Sequence, residues 1–281
     1  MNRIFYAVSV CDWSDTMHYS IKRFNSKEAA VDKGNRLEPW TSRITEVKPH
    51  SLSTHGIDQA EIIRTFSYEE MVFFILKGCR PSPIESELLR AVIVSHISHG
   101  ITGQSTLAVR MAADCRSTFL HALIAGFSVG AGIYHQGGLQ ATMVELQSLA
   151  LIPKDRLESH IRGRLQSGDR IMGFGHRFYK KSEPRAQTLM QITNELGFSG
   201  KHIETALSLE AILKKAKGVP MNIEAAGGAI LLDIGFDPAV AHLIIVVGRS
   251  PMFAAAYLER LAENRDPFQK IQVFDVFDEQ S

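Results

Sequence analysis

Apolar residues recur at spacings of three and four along most of this chain, the signature of helices that bury one face. Ile84, Leu88, Leu89, Val92 and Ile93 form one such stripe. Pro81 and Pro83 stand just ahead of it, where a helix start tolerates a missing amide hydrogen. Ile203, Leu207, Ala211 and Leu213 predict another helix. Asn222 follows Pro220 and precedes a run of alanine, isoleucine and leucine, so it predicts an N-cap, with the helix stopping near Gly235. Pro238 then opens a last helix that runs through Tyr257 and Leu258. From about residue 68 onward the chain reads as helix after helix.

Extended signals are confined to the front, at residues 4–10 and 42–47. Without an alternation of strands and helices, a doubly wound nucleotide-binding sheet is not expected, and the fold class is mainly all-α. Glycine turns at Gly137-Gly138 and near Lys217-Gly218-Val219-Pro220 could bound a small block set into a larger one.

Composition narrows the function. At 281 residues and 45% hydrophobic content, the chain can bury a sizeable core. Lysine and arginine number 31 against 30 acids, a net charge of +1, without the basic excess of a nucleic-acid or membrane-surface protein. The apolar run at 243–247 is far shorter than the ~20 residues of a membrane span. Residues 1–10 lack the features of a signal peptide, so a cytoplasmic location is the default expectation. Cys11, Cys79 and Cys115 lack CxxC spacing, which indicates neither a zinc ribbon nor a disulfide framework.

The candidate chemistry lies in Met172-Gly173-Phe174-Gly175-His176-Arg177, followed by Glu183-Pro184-Arg185. Glycines let a backbone approach a ligand, an imidazole exchanges protons near neutral pH, and an arginine can grip a carboxylate with two hydrogen bonds. Three further segments join it: His96-Ile97-Ser98-His99-Gly100, Tyr134-His135-Gln136-Gly137-Gly138 and Asn222-Ile223-Glu224. Glu224 falls in the first turn of the predicted helix, where the dipole favours a carboxylate. Arg249 stands alone in an apolar run, and a buried guanidinium there needs an anion. Removing a proton beside a thioester requires a base and a donor to the enol oxygen, and adding that carbon to a ketone requires a second donor.

These four segments, in this order, resemble the motifs of the citrate synthase family, with the compact citryl-CoA lyase branch closest in length and wording. The resemblance implies a mainly helical fold with a large and a small domain around a cleft, working as a homodimer. It implies a large domain from residues 40–138 and 228–281, and a small, coenzyme A-binding domain from 139–227, with 1–39 unassigned. It assigns His135 to the enol, His176 to the keto-acid carbonyl and Glu224 to the base. His99, Arg185 and Arg249 take the acid substrate, and Gly173, Phe174, Gly175, Lys180 and Lys181 take coenzyme A. The implied reaction joins an acyl-CoA to a 2-oxo acid such as oxaloacetate, or cleaves citryl-CoA. Coenzyme A thioester is then a substrate, with no permanent cofactor and no metal. Two departures stand out: Glu224 replaces the family's aspartate, and Gln136 replaces a glycine.

Three other readings are open. A non-catalytic relative would bind coenzyme A or an acid without turnover. Gly126-Phe127-Ser128-Val129-Gly130 fits the G-x-S-x-G pattern of serine hydrolases, although its flanks read as helix. His96 and His99 are spaced for a metal, but no third ligand is evident.

Overall fold

The structure, a computed structural model, describes residues 41–135 and 137–263, so the strand expected over 4–10, Cys11 and Gln136 lie outside the described residues. Two compact units meet in sequence at Ser86 and Glu87.

The described part of the first unit opens with an antiparallel meander, which the hydrophobic pattern showed only at its first strand. β1 (Thr45–Lys48) pairs with β2 (Ser51–Thr54), Thr45 opposite Thr54, and β2 pairs with β3 (Ile57–Asp58), Thr54 opposite Ile57. The expected strand over 42–47 starts later because the Ser42 hydroxyl accepts from the Ile44 amide at 3.1 Å, a local bond that competes with the ladder. α1 (Gln59–Thr65) is capped by Asp58, and α2 (Tyr68–Lys77) by a reciprocal Ser67–Glu70 capping box. Ile62, Phe73 and Phe74 are buried. Cys79 is disulfide-bonded, whereas the cysteine spacing indicated no disulfide framework.

The second unit is mainly helical. α3 (Pro83–Ile97) leads into it, followed by α4 (Gln104–Asp114), α5 (Phe119–Gly130), α6 (Gly137–Leu149), α7 (Lys154–Gln166), α8 (Pro184–Glu195), α9 (Lys201–Lys217), α10 (Ile223–Asp233) and α11 (Ala241–Ala262). In α3 the predicted stripe is buried from Leu88 onward, while Ile84 stays exposed. In α9 the predicted stripe is off. Leu207 and Ala211 face solvent, and the buried face is Ile203, Ala206, Leu209 and Leu213. Successive steps of four drift around a 3.6-residue helix, whereas steps of three and four together hold one face.

α10 is the central helix. Ala225, Ala226, Ala229, Ile230 and Leu231 are fully buried, as a helix apolar on every side requires, and α10 packs against α6, α8 and α9. α11 packs against α4, α5 and α6, so α6 touches both helix groups. Gly126 lies inside α5, where a Cβ would come within 2.6 Å of Val109 and 2.8 Å of Phe253. The G-x-S-x-G segment is therefore a helix-packing feature with Ser128 exposed, and it makes no strand–turn–helix elbow. Residues Pro238–Ala262 are long and apolar enough to pass as a membrane span by composition, but Ile244, Ile245, Phe253 and Ala256 are buried in this helical core.

Candidate active site

A short antiparallel contact builds the site. Phe174 bridges to Met221, the Gly175 amide donates to the Pro220 carbonyl at 2.7 Å, and the Asn222 amide donates to the Gly173 carbonyl at 3.0 Å. Gly173 and Gly175 hold φ of 82° and 86°, left-handed values that a side chain would strain. Two carboxylates fasten the strands from behind. Glu145 accepts from the Met172 amide at 2.7 Å, and Glu210 accepts from the Met221 amide at 3.0 Å. Asn222 then caps α10, accepting from the amides of Glu224 and Ala225 at 2.9 and 3.3 Å, as its sequence position predicted. The zipped pair thus brings His176 and Glu224, distant in sequence, to one place.

His135, His176 and Glu224 line a cavity of about 270 Å³ together with His96, His99, Arg185 and Arg249. The same His135, His176 and Glu224 also line a second cavity of about 520 Å³, which runs on past Gly173, Phe174, Arg170 and Lys217. The three candidate catalytic groups therefore line both cavities, the smaller called the chamber below and the larger the channel.

Hydrogen bonds set the protonation of these groups. The amides of Phe178 and Tyr179 donate to His176 Nδ1 at 3.1 and 3.2 Å, so Nδ1 is an acceptor and a neutral ring carries its proton on Nε2. His135 Nε2 shares a 2.8 Å hydrogen bond with the Ser105 hydroxyl. The rings of His99 and His176 meet edge to face with centroids 5.9 Å apart. Burial, with Arg185 and Arg249 nearby, holds His99 down to about 4, and burial also lowers His135 and His176, so all are neutral at pH 7. Burial pushes the Glu224 carboxyl up to about 7, with Arg185 opposing, which poises it as a base.

The two arginines are held differently. The Arg185 Nε donates to the buried Glu183 carboxylate at 2.7 Å, and Glu183 also caps α8. Arg249 is buried, its Nε finds no partner among the described residues, and burial beside Arg185 lowers it to about 10. Gly248 lets α11 reach this place, because a Cβ there would lie 2.8 Å from the Ile93 carbonyl and 3.2 Å from His96 Cβ. A buried, unpaired guanidinium beside a second arginine is a receptor for an anion.

The sequence-predicted residues divide. His99, His135, His176, Arg185, Glu224 and Arg249 come together, and Gly173, Phe174 and Gly175 line the channel. Lys180 and Lys181 are exposed and line neither cavity, and the Lys180 amine instead donates to the His176 carbonyl at 3.3 Å. Arg170, Arg177 and Lys217 border the channel in their place. Sequence reasoning passed over Ser105, which meets His135 only through the tertiary fold. It also left His96 without a role. That ring donates Nδ1–H to the Val92 carbonyl at 2.9 Å, and its Nε2 finds no partner among the described residues.

The chain is similar to known proteins along most of its length. The family model "Citrate synthase, C-terminal domain" matches residues 58–271. "Citrate synthase 2" of Bacillus subtilis is 28% identical over 242 residues, covering 85% of this chain but only 63% of its own length. The structure of citryl-CoA lyase from Hydrogenobacter thermophilus is 29% identical with a TM-score of 0.74, covering 82% of this chain and 90% of that one. A citrate synthase from Thermoplasma acidophilum, solved with carboxymethyl coenzyme A and oxaloacetate, shares the fold at 23% identity and a TM-score of 0.65, over 73% of this chain and 56% of that one. The chain belongs to the citrate synthase family.

Proposed function

We propose that this chain makes or breaks the carbon–carbon bond between the carbon beside the carbonyl of a coenzyme A thioester and the keto carbon of a 2-oxo acid, with acetyl-CoA and oxaloacetate the first pair to test. The observation that carries this reading is the placing of one near-neutral carboxylate and two neutral histidines between an arginine-lined chamber and an open channel. Glu224 takes a proton from the carbon beside the thioester. Ser105, donating to His135 Nε2, leaves Nδ1–H to stabilise the enol oxygen. The enol carbon attacks the keto carbon, and His176 Nε2–H gives its proton to the new alkoxide. Arg185, Arg249 and His99 hold the carboxylates of the acid. Run in reverse, the hydroxyl proton returns to His176, the bond breaks, and Glu224 reprotonates the enol.

In this reading coenzyme A takes the channel, with the 139–227 segment as the small domain, supported by the cations Arg170, Arg177 and Lys217 that line it. A homodimer is part of the same reading, supported by the apolar side chains that α5 leaves exposed at Leu120, Ile124 and Val129. The cleavage direction, citryl-CoA to acetyl-CoA and oxaloacetate, gains support from the likeness to a citryl-CoA lyase, at 29% identity and a TM-score of 0.74.

Formation of a citryl-CoA-type adduct from acetyl-CoA with a panel of 2-oxo acids, and acetyl-CoA release from citryl-CoA, test the proposal directly. Either activity, reduced at least ~100-fold in Glu224→Gln, supports it. No turnover with any pair would leave the non-catalytic relative as the better reading.

A further inference from the structure

Gly138 sits in the first turn of α6, against the carboxylate of Glu224. A Cβ built at this position would lie 2.7 Å from each carboxylate oxygen and 2.8 Å from the carboxyl carbon, with no other atom as near. The adjacent Gly137 differs in kind. A Cβ there would strike the backbone carbonyls of Ala131 and Gly132 at 2.7 and 2.9 Å, which cannot move without reshaping the turn. At Gly138 the obstacle is the tip of a side chain, which can swing away. Alanine is the better helix former, so helix formation gives no reason for glycine at Gly138.

We propose that Gly138 is a positioning residue for Glu224: the space left by its missing side chain seats the carboxylate, and glycine and glutamate form a size-matched pair. This rests on the base role assigned to Glu224. It also accounts for the departure of Glu224 from aspartate, because the extra methylene is taken up at the start of α6. Any side chain at 138 would push the carboxylate from its seat while leaving the helices in place.

Four proteins test the pair: the wild type, Gly138→Ala, Glu224→Asp and the double variant. In the wild-type background Gly138→Ala should lower kcat about 10- to 100-fold, the cost of moving a catalytic group by up to ~1 Å. KM for the 2-oxo acid and Tm should change little. In the Glu224→Asp background the shorter carboxylate no longer reaches Gly138, so the same substitution should cost less than about two-fold. Equal losses in both backgrounds, or a loss confined to KM, would overturn the inference while leaving the proposed reaction intact. Should the wild type show no turnover, the reaction is wrong and the pair is judged by crystal structures alone. Gly138→Ala must then move the Glu224 carboxylate from 2.7 Å to the ordinary contact range beginning at 3.4 Å, and an unmoved carboxylate refutes the pairing.

Discussion

The side-chain amide of Asn222 donates to the carbonyl of Gly175 at 3.0 Å while its oxygen caps α10. One residue thus ties the segment that bears His176 to the helix that bears Glu224. The two halves of this duty can be separated by mutation. Asn222→Asp keeps the capping oxygen and loses the donor, whereas Asn222→Ala loses both. Asn222→Ala should cost about 1–2 kcal/mol in chemical denaturation, in the range of a lost N-cap. Asn222→Asp should cost less in stability yet lower kcat substantially, because its second oxygen would face the Gly175 carbonyl. Full activity in Asn222→Asp, with the losses confined to Asn222→Ala, would show that the cap alone matters.

His176 is fixed as a donor by two backbone amides that occupy its Nδ1. The 15N shifts of its ring should report the Nε2–H tautomer at neutral pH in the ligand-free protein. His176→Ala should lower kcat by about 100- to 10,000-fold, the usual worth of a positioned acid or base. A ring found with its proton on Nδ1 would contradict the assigned role.

The raised carboxyl of Glu224 gives the pH dependence of activity its sign. The base works ionised, and burial moves its titration to about 7. In the condensation direction kcat/KM should fall about ten-fold for each unit below that value and level off above it. Glu224→Asp, whose carboxyl has the lower ordinary value, should move the acid limb to lower pH. A limb that stays fixed in that variant would place the titrating group elsewhere.

Arg249 trades stability for binding. Its buried Nε finds no partner among the described residues, and a charge so placed is costly to bury. Arg249→Met should therefore be neutral or raise the Tm of the free protein. Saturating oxaloacetate or citrate, at about 100 times its dissociation constant, should stabilise the wild type by about 2.7 kcal/mol. The Met variant should lose that gain, as calorimetry with and without the acid would show.

Local signals were legible in the sequence, and signals that need the tertiary fold were not. Asn222 was readable as a cap because the evidence for it lies within a few residues. His135, His176, Arg185 and Glu224 were found through their motifs, and the fold brings them to one chamber. Ser105 carried no mark, since its bond to His135 spans 30 positions. The α9 stripe was misjudged because two helix faces both offered apolar residues, and only packing chose between them. Lys180 and Lys181 looked suited to phosphate by charge and nearness in sequence, but the turn after His176 directs them to solvent.

His96 offers a test that needs no substrate. Its ring is buried, and burial, with Arg249 and Arg185 adding, holds it down to about 4 from 6.5, against the opposing pull of the Val92 carbonyl and Glu183. The unfolded chain therefore binds a proton that the folded chain refuses between these values, and stability falls as pH drops from 6.5 to 4. A shift of this size corresponds to roughly 3 kcal/mol lost over that window. His99, held down to about 4 in the same chamber, adds loss of the same sign. Glu224 acts oppositely, because its folded value near 7 exceeds 4.5, so its contribution grows as pH falls from 7 to 4.5. The contributions separate by substitution. His96→Gln should flatten the fall in unfolding free energy between pH 6.5 and 4 by about 2–3 kcal/mol, and Glu224→Gln should steepen the fall between pH 7 and 4.5. Urea denaturation at several pH values measures both, and a His96→Gln curve parallel to the wild type would show that this ring is already protonated in the folded chamber.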